Sequence, residues 1–445
     1  MDEATVLRFS GPAPRYTSYP TAPHFKPAVG AAEARQWLSE LPERAKISLY
    51  LHVPFCTELC WYCGCTTKAS RRYEPVAAYV ETLLKEIETV GALLPKGTEV
   101  AHIHWGGGSP SMLKPADIHR ILEALRARVT FAPDVEHAME IDPRQATDEL
   151  LDALAAEGLN RISLGVQDFD EAVQAAINRY QSIEETKAVV DGFRRRGITA
   201  INLDLVYGLP HQTEESVART IDSVLALEPS RLAVFGYAHV PAKARPQRLI
   251  DTKVLPGPRE RMRQSAIIAE HITRAGYVAV GIDHFARPDD PMAVANVRRN
   301  FQGYTTDASD ILIGLGASAI SKLPQGYLQN HASTPEYKRL VEAGGLATAR
   351  GLAFSLDDRV RAAVIERLMC DFTFSRTDLS ALFGAAAKPV IIEAEQLMTG
   401  DAKELVERTP DGFRCTAQGR TFVRWLCTRF DAYWGQGSAT HALAV

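Results

Sequence analysis

Four cysteines lie in one ten-residue window of this sequence: Cys56, Cys60, Cys63 and Cys65. Thiolates are the ligands of iron-sulfur clusters, and three of them on one loop can hold three irons of a [4Fe-4S] cube while the fourth iron stays open. A structural zinc site is the alternative, but such sites usually take two ligand pairs from separated parts of the chain. The spacing therefore favours an iron-sulfur cluster with an open, reactive iron.

The composition indicates an ordinary globular protein. The 445 residues are 46% hydrophobic and 23% charged, with a formal net charge of -4, which excludes a disordered or collagen-like chain. No apolar run reaches the roughly 18 residues of a membrane span, and the N-terminus has no signal or transit pattern. We therefore expect a cytoplasmic protein, whose clustered cysteines bind metal rather than form disulfides.

Alternating β-rich and helical segments must position the cysteines. From residue 47 onwards, amphipathic helical stretches separate six short apolar runs, at residues 47–53, 99–105, 136–142, 160–166, 199–207 and 231–240. This repeat predicts an α/β fold with a parallel sheet covered by helices. The sheet can close fully or partly into a barrel, or stay open and doubly wound.

Polar residues at the strand ends favour a parallel (β/α) barrel with a ligand-filled centre. Glu140, Gln167 and Asp204 each lie at or just after the end of an apolar run. Because side chains alternate along a strand, their apolar neighbours face the helices and these three groups face the barrel interior. Active sites of such barrels lie at the C-terminal ends of the strands. The alternative is that these three residues are buried polar groups that only form hydrogen bonds with the backbone.

The pattern changes on both sides of the barrel, and we predict three parts. Residues 1–45 form a Pro-rich N-terminal arm that is extended at 14–20, residues 46–340 form the barrel, and residues 341–445 form a small, mostly helical, winged-helix-like domain. In the last part we expect helix at 357–384, a hairpin at 405–415, and a helix at 420–434 whose buried face carries Val423, Leu426, Cys427, Phe430 and Trp434. The last helix carries only Arg420, Arg424 and Arg429 as positive charges, so we expect packing or substrate covering rather than nucleic-acid binding.

The cysteine spacing, with Tyr62 before the third cysteine, resembles the signature of the radical S-adenosylmethionine superfamily. Further motifs narrow the resemblance to the oxygen-independent coproporphyrinogen III oxidases: PRYTSYP (14–20), YLHVPF (50–55), HWGGGSP (104–110), EIDPR (140–144), GVQDF (165–169), DLVYGLP (204–210), DHFARPDD (283–290) and RNFQGYTT (299–306). They run in order over nearly the whole chain. Arg298 stands where the family pattern has a histidine, and the connection at 291–297 is short.

The resemblance implies a partial parallel (β/α) barrel of the radical S-adenosylmethionine type. It also implies oxidative decarboxylation of two propionates of coproporphyrinogen III, giving protoporphyrinogen IX in heme biosynthesis. It implies a [4Fe-4S] cluster ligated by Cys56, Cys60 and Cys63, with Cys65 not a ligand, and two molecules of S-adenosylmethionine. The first would contact Tyr50, Gly107, Glu140 and Ile320. The second would contact Tyr62, Gly108, Ser109, Gln167, Arg179, Asp204 and Ala238.

The types of these residues suit such ligands. Glycine at 106–108 lets backbone approach a ligand closely. Asp204 can accept two ribose hydroxyls, Glu140 can pair with an ammonium group, and Arg179 suits a carboxylate.

The substrate carries four carboxylates, and the candidates to receive them are Arg15, Arg287, Arg298, Arg299 and Lys322. The expected partners are coproporphyrinogen III and a low-potential reductant such as a flavodoxin or ferredoxin, with no nucleic acid and no membrane, and we expect a monomer. A heme chaperone and a radical S-adenosylmethionine methyltransferase are the alternatives within the superfamily.

Overall fold

The computed structural model describes residues 3–436. Its strands, in chain order, are β1 Lys46–Val53, β2 Phe55–Cys56, β3 Lys68–Ala69, β4 Glu99–Gly107, β5 Thr130–Ile141, β6 Arg161–Gln167, β7 Ala200–Tyr207, β8 Arg231–Gly236, β9 Val278–Val280, β10 His284–Ala286, β11 Arg298–Asn300, β12 Gly303–Thr305, β13 Leu312–Leu315, β14 Ile320–Leu323, β15 Gly326–Asn330, β16 Thr348–Ala353, β17 Thr373–Ser375, β18 Val406–Thr409 and β19 Gly412–Cys415.

The α-helices are α1 Glu3–Phe9, α2 Ala31–Ser39, α3 Glu74–Gly91, α4 Pro115–Arg126, α5 Asp148–Ala156, α6 Glu171–Ile177, α7 Ile183–Arg195, α8 Glu214–Leu225, α9 Pro258–Arg274, α10 Pro291–Val294, α11 Thr334–Glu342, α12 Leu356–Asp371, α13 Arg376–Phe383, α14 Lys388–Thr399, α15 Ala417–Thr421 and α16 Val423–Cys427. None of the helices in the described part of the chain is both long and apolar enough to cross a membrane.

One sheet of twelve strands organises the molecule, in the order β16-β15-β14-β13-β1-β4-β5-β6-β7-β8-β10-β9. The strands from β13 to β8 in this order run parallel to their neighbours. Parallel neighbours need long connections, and α3 to α8 occupy those between β1 and β8. Antiparallel strands extend both ends. The predicted alternation of strand and helix is confirmed.

Side-chain alternation places apolar residues outside and polar residues inside. On β6, Ile162, Leu164 and Val166 are fully buried in the main hydrophobic core, while the residues between them are partly exposed. The same holds on β7, where Leu203 and Leu205 flank Asp204. The helices cover the apolar face, as is expected when both faces of a parallel sheet are enclosed.

The sheet curls into an incomplete barrel. Side chains from β1, β4, β5, β6, β7, β8, β10, β12 and β13 line one inner cavity of about 190 Å³, whereas β16 and β9 end the hydrogen-bonded order without pairing to each other. The predicted fold class, an α/β partial parallel barrel, is confirmed. Strand β5 begins at Thr130 rather than at residue 136, and β8 ends at Gly236 rather than at residue 240.

The C-terminal residues form a second core. The predicted hairpin is β18 and β19, and β17 joins it to make a three-stranded sheet. The helix predicted over 357–384 is interrupted by β17, which has only three residues and no readable period. The single helix predicted over 420–434 is instead two short helices, α15 and α16, which are separated at Phe422. The second ends at Cys427, so Trp434 leaves the apolar face and is 41% exposed. The other four residues of that face are buried as predicted.

The N-terminal arm packs on this C-terminal core. Phe9 of α1 contacts Trp425 edge-on, with ring centroids 4.7 Å apart. The Tyr16 hydroxyl donates to Asp431 over 2.9 Å, and the Ala432 N–H donates to the Tyr19 hydroxyl over 2.9 Å. The division of the chain at residues 45 and 340 stays a prediction. The last strand of the large sheet, β16, follows residue 340.

Candidate active site

The cysteine loop leaves β1 at the C-terminal edge of the parallel sheet. The structure fixes the loop from outside through Asn178, whose amide donates to the Leu59 carbonyl over 3.1 Å. The Trp61 N–H donates to the carbonyl of Ile177 over 2.9 Å. Both partners lie at the end of α6, so the barrel itself sets the position of the loop.

The thiols of this loop differ in their surroundings. The Cys65 N–H lies 3.4 Å from the Cys63 sulfur, and contact with Cys65 lowers the pKa of Cys63 to about 7. Burial raises the pKa of Cys56 to about 11, although the Thr67 hydroxyl 3.3 Å away opposes the rise. A lower pKa increases the fraction of thiolate, which is the form that ligates metal.

The donor set fits an iron-sulfur cluster. Among residues 3–436, no group of three or more His, Cys, Asp or Glu side chains surrounds the position of a single metal ion. Instead, all four thiols of the loop line one cavity of about 530 Å³ at the mouth of the barrel. Sulfur donors spread along a cavity wall suit a polynuclear cluster that faces a ligand.

The glycine triplet 106–108, at the end of β4, brings backbone close to the polar groups of this cavity. A Cβ added at Gly106 would lie 2.8 Å from Glu140 Oε1 and 3.0 Å from the Tyr50 ring. At Gly108 it would lie 2.5 Å from the carbonyl oxygen of Phe55. Gly107 has a φ of 118°, and its N–H donates to Glu140 Oε2 over 3.3 Å. Larger residues here would displace the groups that face the cavity.

Asp204 is a half-buried acceptor within β7. The Ser163 hydroxyl donates to its Oδ2 and the Asn202 amide to its Oδ1, both over 2.7 Å. Burial raises the pKa of Asp204 to about 6, and these hydrogen bonds only partly oppose the rise. Each oxygen keeps a lone pair for a further donor, so Asp204 can still accept two hydroxyl groups from a ligand.

Arg179 links the cysteine loop to β6. Its guanidinium donates to the Gly165 carbonyl over 2.5 Å and to Gln181 Oε1 over 2.9 Å, and lies 3.5 Å from Asp142 Oδ1. Burial alone would lower its pKa, but the neighbouring anionic groups raise it overall, so the side chain stays charged. Its Nε has no hydrogen-bond partner among the described residues, which leaves a buried donor for an anionic ligand.

Gln167 reaches the same cavity through a bulge. It adopts a positive φ of 69° where the register between β6 and β7 shifts. Its amide nitrogen lies 2.8 Å from the position of a Cβ added at Gly165, so glycine at that position leaves room for both Gln167 and Arg179.

The cavity brings together most of the residues expected from the sequence: Cys56, Cys60, Cys63, Tyr62, Gly107, Gly108, Ser109, Glu140, Gln167, Arg179, Asp204 and Ala238 all line it. Tyr50 lies behind Glu140, where its hydroxyl is 3.0 Å from His52 Nδ1. Ile320 lies on β14, two strands beyond β1, and does not line the cavity. Sequence reasoning missed Ser163, although its position two residues from Gly165 on the polar side of β6 follows the same alternation.

Four of the five candidates for substrate carboxylates do not line the cavity: Arg287, Arg298, Arg299 and Lys322. Arg15 lines the cavity and donates to the Gly236 carbonyl over 2.8 Å. Arg298 is held by Asp310 at 2.7 Å, and Arg287 lies at the surface beside Asp289. Lys322 is on β14, on the far side of β1.

Comparison with known proteins extends these observations. Residues 50–224 match the model of the radical SAM superfamily. The chain is 48% identical to the oxygen-independent coproporphyrinogen III oxidase of Bradyrhizobium diazoefficiens over 97% of both chains. The chain belongs to the family of oxygen-independent coproporphyrinogen III oxidases. The Pseudomonas aeruginosa protein of the same name is 40% identical, over 97% of this chain and 95% of its own.

A solved structure of the family agrees with the fold. The coproporphyrinogen III oxidase of Escherichia coli, described as a radical SAM enzyme, superposes with a TM-score of 0.89 at 40% identity and covers 94% of this chain and 97% of its own. As a radical SAM member of the coproporphyrinogen III oxidase family, the chain uses a [4Fe-4S] cluster and S-adenosylmethionine.

Proposed function

We propose that this chain converts coproporphyrinogen III to protoporphyrinogen IX without oxygen, by oxidative decarboxylation of two propionates in heme biosynthesis. The similarity along the whole chain to relatives of this name carries the proposal. Each reacting propionate would become a vinyl group by losing carbon dioxide, a hydrogen atom to a 5′-deoxyadenosyl radical, and one electron to a separate electron acceptor.

Within this proposal, Cys56, Cys60 and Cys63 ligate the cluster and Cys65 does not. The cluster together with S-adenosylmethionine supplies a 5′-deoxyadenosyl radical when both are bound. Cys65 is exposed, whereas Cys60 is buried beside Arg179. The backbone N–H of Cys65 points at the Cys63 sulfur. This contact suits a residue that modifies the properties of a neighbouring ligand without being a ligand itself.

Two molecules of S-adenosylmethionine fit the distribution of polar groups. Tyr50, Gly107, Glu140 and Ile320 are assigned to the first. Tyr62, Gly108, Ser109, Gln167, Arg179, Asp204 and Ala238 are assigned to the second. Glu140 accepts the Gly107 N–H and can pair with an ammonium group, while Arg179 can hold a carboxylate by its fork of donors. Asp204 orients hydroxyl groups through its free lone pairs.

The chain's own residues position the reacting groups and exclude water. The glycine triplet allows close approach, and the buried charges hold the polar ends of the ligands in one orientation, which lowers the entropic cost of the reaction. We further propose a flavodoxin or ferredoxin as electron donor and a monomeric state. We also propose no binding to nucleic acid or membrane, and action in the reducing environment of the cytoplasm.

Product analysis tests the proposal. Anaerobically reconstituted protein receives coproporphyrinogen III, S-adenosylmethionine and a low-potential reductant. We expect release of two molecules of carbon dioxide for each protoporphyrinogen IX formed. A methylated product would instead indicate a methyltransferase, and heme binding without turnover would indicate a chaperone, and either outcome would overturn the proposal.

A further inference from the structure

Arg144 lies on the wall of the main cavity, directly after the end of β5, and no role is assigned to it above. Its guanidinium donates twice to Asp142, from Nε over 2.9 Å and from Nη2 over 2.6 Å. The remaining nitrogen, Nη1, donates to no acceptor among residues 3–436. Because Arg144 lines the cavity of about 530 Å³ together with Asp142 and Arg179, a ligand in that cavity can reach the nitrogen that Asp142 leaves free.

Asp142 is held in place by contacts other than the two side-chain donors of Arg144. Its own N–H donates to the Ser111 hydroxyl over 3.2 Å, and the hydroxyls of Ser111 and Ser109 lie 2.9 Å apart. The backbone N–H of Arg144 donates to Asp142 Oδ1 over 3.2 Å. A carboxylate that accepts two parallel bonds from a guanidinium fixes the plane of that group. The orientation of Arg144 is therefore set before any ligand binds.

Arg179 approaches the same carboxylate from α6, with its Nη2 3.5 Å from Asp142 Oδ1. Its Nε is buried and has no hydrogen-bond partner among the described residues. Burial alone would raise the pKa of Asp142, but the hydrogen bonds from Arg144 and the charge of Arg179 lower it overall. One carboxylate thus stands between two guanidinium groups, and the buried donor of Arg179 is costly unless a ligand supplies an acceptor.

A carboxylate is the ligand group that suits this pair of arginines, because guanidinium donors match its two oxygens. A guanidinium stabilises a carboxylate and so opposes its loss as carbon dioxide, which makes a reacting propionate a poor occupant. The carboxylate of S-adenosylmethionine is not lost in the proposed reaction. Arg179 is already assigned to the second molecule of this cofactor, and Arg144 lies on the other side of the shared Asp142.

We propose that Arg144, oriented by Asp142, binds the carboxylate of the second S-adenosylmethionine together with Arg179. This inference rests on the proposed function, which assigns Arg179 to that molecule. Arg144 contacts the ligand directly, whereas Asp142 is a positioning residue that acts through both arginines. The pair makes the second site selective for the methionine part of the cofactor, because a nucleoside without a carboxylate leaves both guanidinium groups unsatisfied.

Binding of two ligands to the cluster-loaded protein tests this assignment. S-adenosylmethionine has the carboxylate, and decarboxylated S-adenosylmethionine keeps the adenosine, the sulfonium and the amino group without it. We expect equilibrium dialysis to show two molecules of S-adenosylmethionine per unmodified chain. In Arg144→Met one should bind as before, and the dissociation constant of the other should rise by about 10- to 100-fold for a lost charged hydrogen bond. The decarboxylated ligand should bind equally to both proteins.

Arg361→Met is the matched control. Arg361 also makes a bidentate pair, with Glu393 over 2.8 and 2.9 Å, but it lies on α12 and does not line the cavity. This variant should bind both ligands as the unmodified protein does. Asp142→Asn should weaken binding of S-adenosylmethionine alone, and Arg144→Lys, which keeps the charge without the fork, should recover part of the affinity. Iron analysis should show the same cluster content in every variant.

The outcomes separate this inference from the proposed function. Equal weakening of both ligands in Arg144→Met would show that Arg144 supports the cavity without binding the carboxylate. Unchanged binding of S-adenosylmethionine, with weaker binding of coproporphyrin III, would assign Arg144 to a propionate. Either result overturns the inference, while turnover of coproporphyrinogen III by the unmodified protein still supports the function. Binding of one S-adenosylmethionine per unmodified chain would overturn both the inference and the assignment of a second molecule.

Discussion

The guanidinium of Arg179 lies 3.7 Å from the sulfur of Cys60. The two residues come from different segments, yet the contact joins the cysteine loop to the polar end of β6, because Arg179 also donates to the Gly165 carbonyl. One planar group therefore contacts both the barrel and the proposed cluster loop, and adds to the contacts that Asn178 and Trp61 make.

Replacing Arg179 by lysine keeps the charge but removes the fork that contacts Cys60 and Gly165 together. We expect formation of 5′-deoxyadenosine to fall by about 10- to 100-fold, as is typical when a partner of a metal ligand is lost. The measurement is chromatography of the nucleoside after anaerobic reduction. Arg219→Lys, at an exposed arginine paired with Asp170, should behave as the unmodified protein, and equal rates in both variants would contradict the role of Arg179.

Substitution of Cys60 and substitution of Cys65 should have different effects on the iron content of the protein. Because Cys60 is assigned as a ligand and Cys65 is not, Cys60→Ser should lose most of the iron and sulfide after reconstitution, whereas Cys65→Ser should retain them. Both are measured by elemental analysis of the anaerobic protein. Loss of iron from both variants to the same extent would show that Cys65 is a ligand.

A methyl group at Gly106 should disturb the first cofactor site. It would lie 2.8 Å from Glu140 Oε1, so Glu140 and Tyr50 must move, at a cost of about 1–3 kcal/mol for overpacking. We expect Gly106→Ala to weaken binding of S-adenosylmethionine in equilibrium dialysis. At Gly11 an added Cβ meets nothing within 4 Å, so Gly11→Ala is the control. Undiminished affinity in Gly106→Ala would show that Glu140 does not position the ligand.

Binding of S-adenosylmethionine should depend on pH through Asp204. Burial raises its pKa to about 6 in the free protein, and a carboxylate that accepts two hydroxyl groups must be ionised when the ligand binds. Affinity should therefore be full above pH 7 and fall as the pH drops through 6, because the protonated group has to be ionised first.

Equilibrium dialysis between pH 5 and pH 8 measures this dependence. Asp204→Asn, which does not titrate, should bind weakly and without this fall. A dependence that persists in Asp204→Asn would assign it to another group.

Loss of the Tyr16 hydroxyl should destabilise the contact between the arm and the C-terminal core. The hydroxyl donates to Asp431, and removing one partner of a buried hydrogen bond costs about 1–3 kcal/mol. We expect Tyr16→Phe to lower the free energy of unfolding in urea and to raise the KM for coproporphyrinogen III, because Arg15 is the adjacent residue. Tyr180→Phe, at a tyrosine that is 64% exposed, should change neither quantity.

Local patterns in the sequence predict the barrel well and the second core less well. Apolar and polar residues alternate around Asp204 and Glu140, and this alternation shows which face of the strand packs against the helices. Both residues could therefore be assigned to the barrel interior. Strand β17 is too short to show a period. The apolar spacing that predicts one helix over 420–434 does not report the break at Phe422 or the end of α16 at Cys427. These features depend on packing between distant segments.

The surroundings of Arg261 and Arg424 could not be predicted from the sequence for the same reason, since both interact with the distant Arg15. Arg261 and Arg424 lie on amphipathic helices, where an arginine is most often a solvated surface residue. Their convergence with Arg15 depends on how three segments pack together, which no spacing reports. Arg298 attracts notice in the sequence because it departs from the family pattern. In the structure it forms an ion pair with Asp310.

The contact of Phe9 with Trp425 has a consequence for synthesis on the ribosome. Chains emerge from their N-terminus and barrel strands can pair as they appear, but Phe9 of the arm does not meet Phe422 and Trp425 until the final helices are translated. The cysteine loop is exposed long before then, so iron loading can precede completion of the substrate site. A nascent chain stalled before residue 420 should therefore acquire iron yet fail to bind porphyrin.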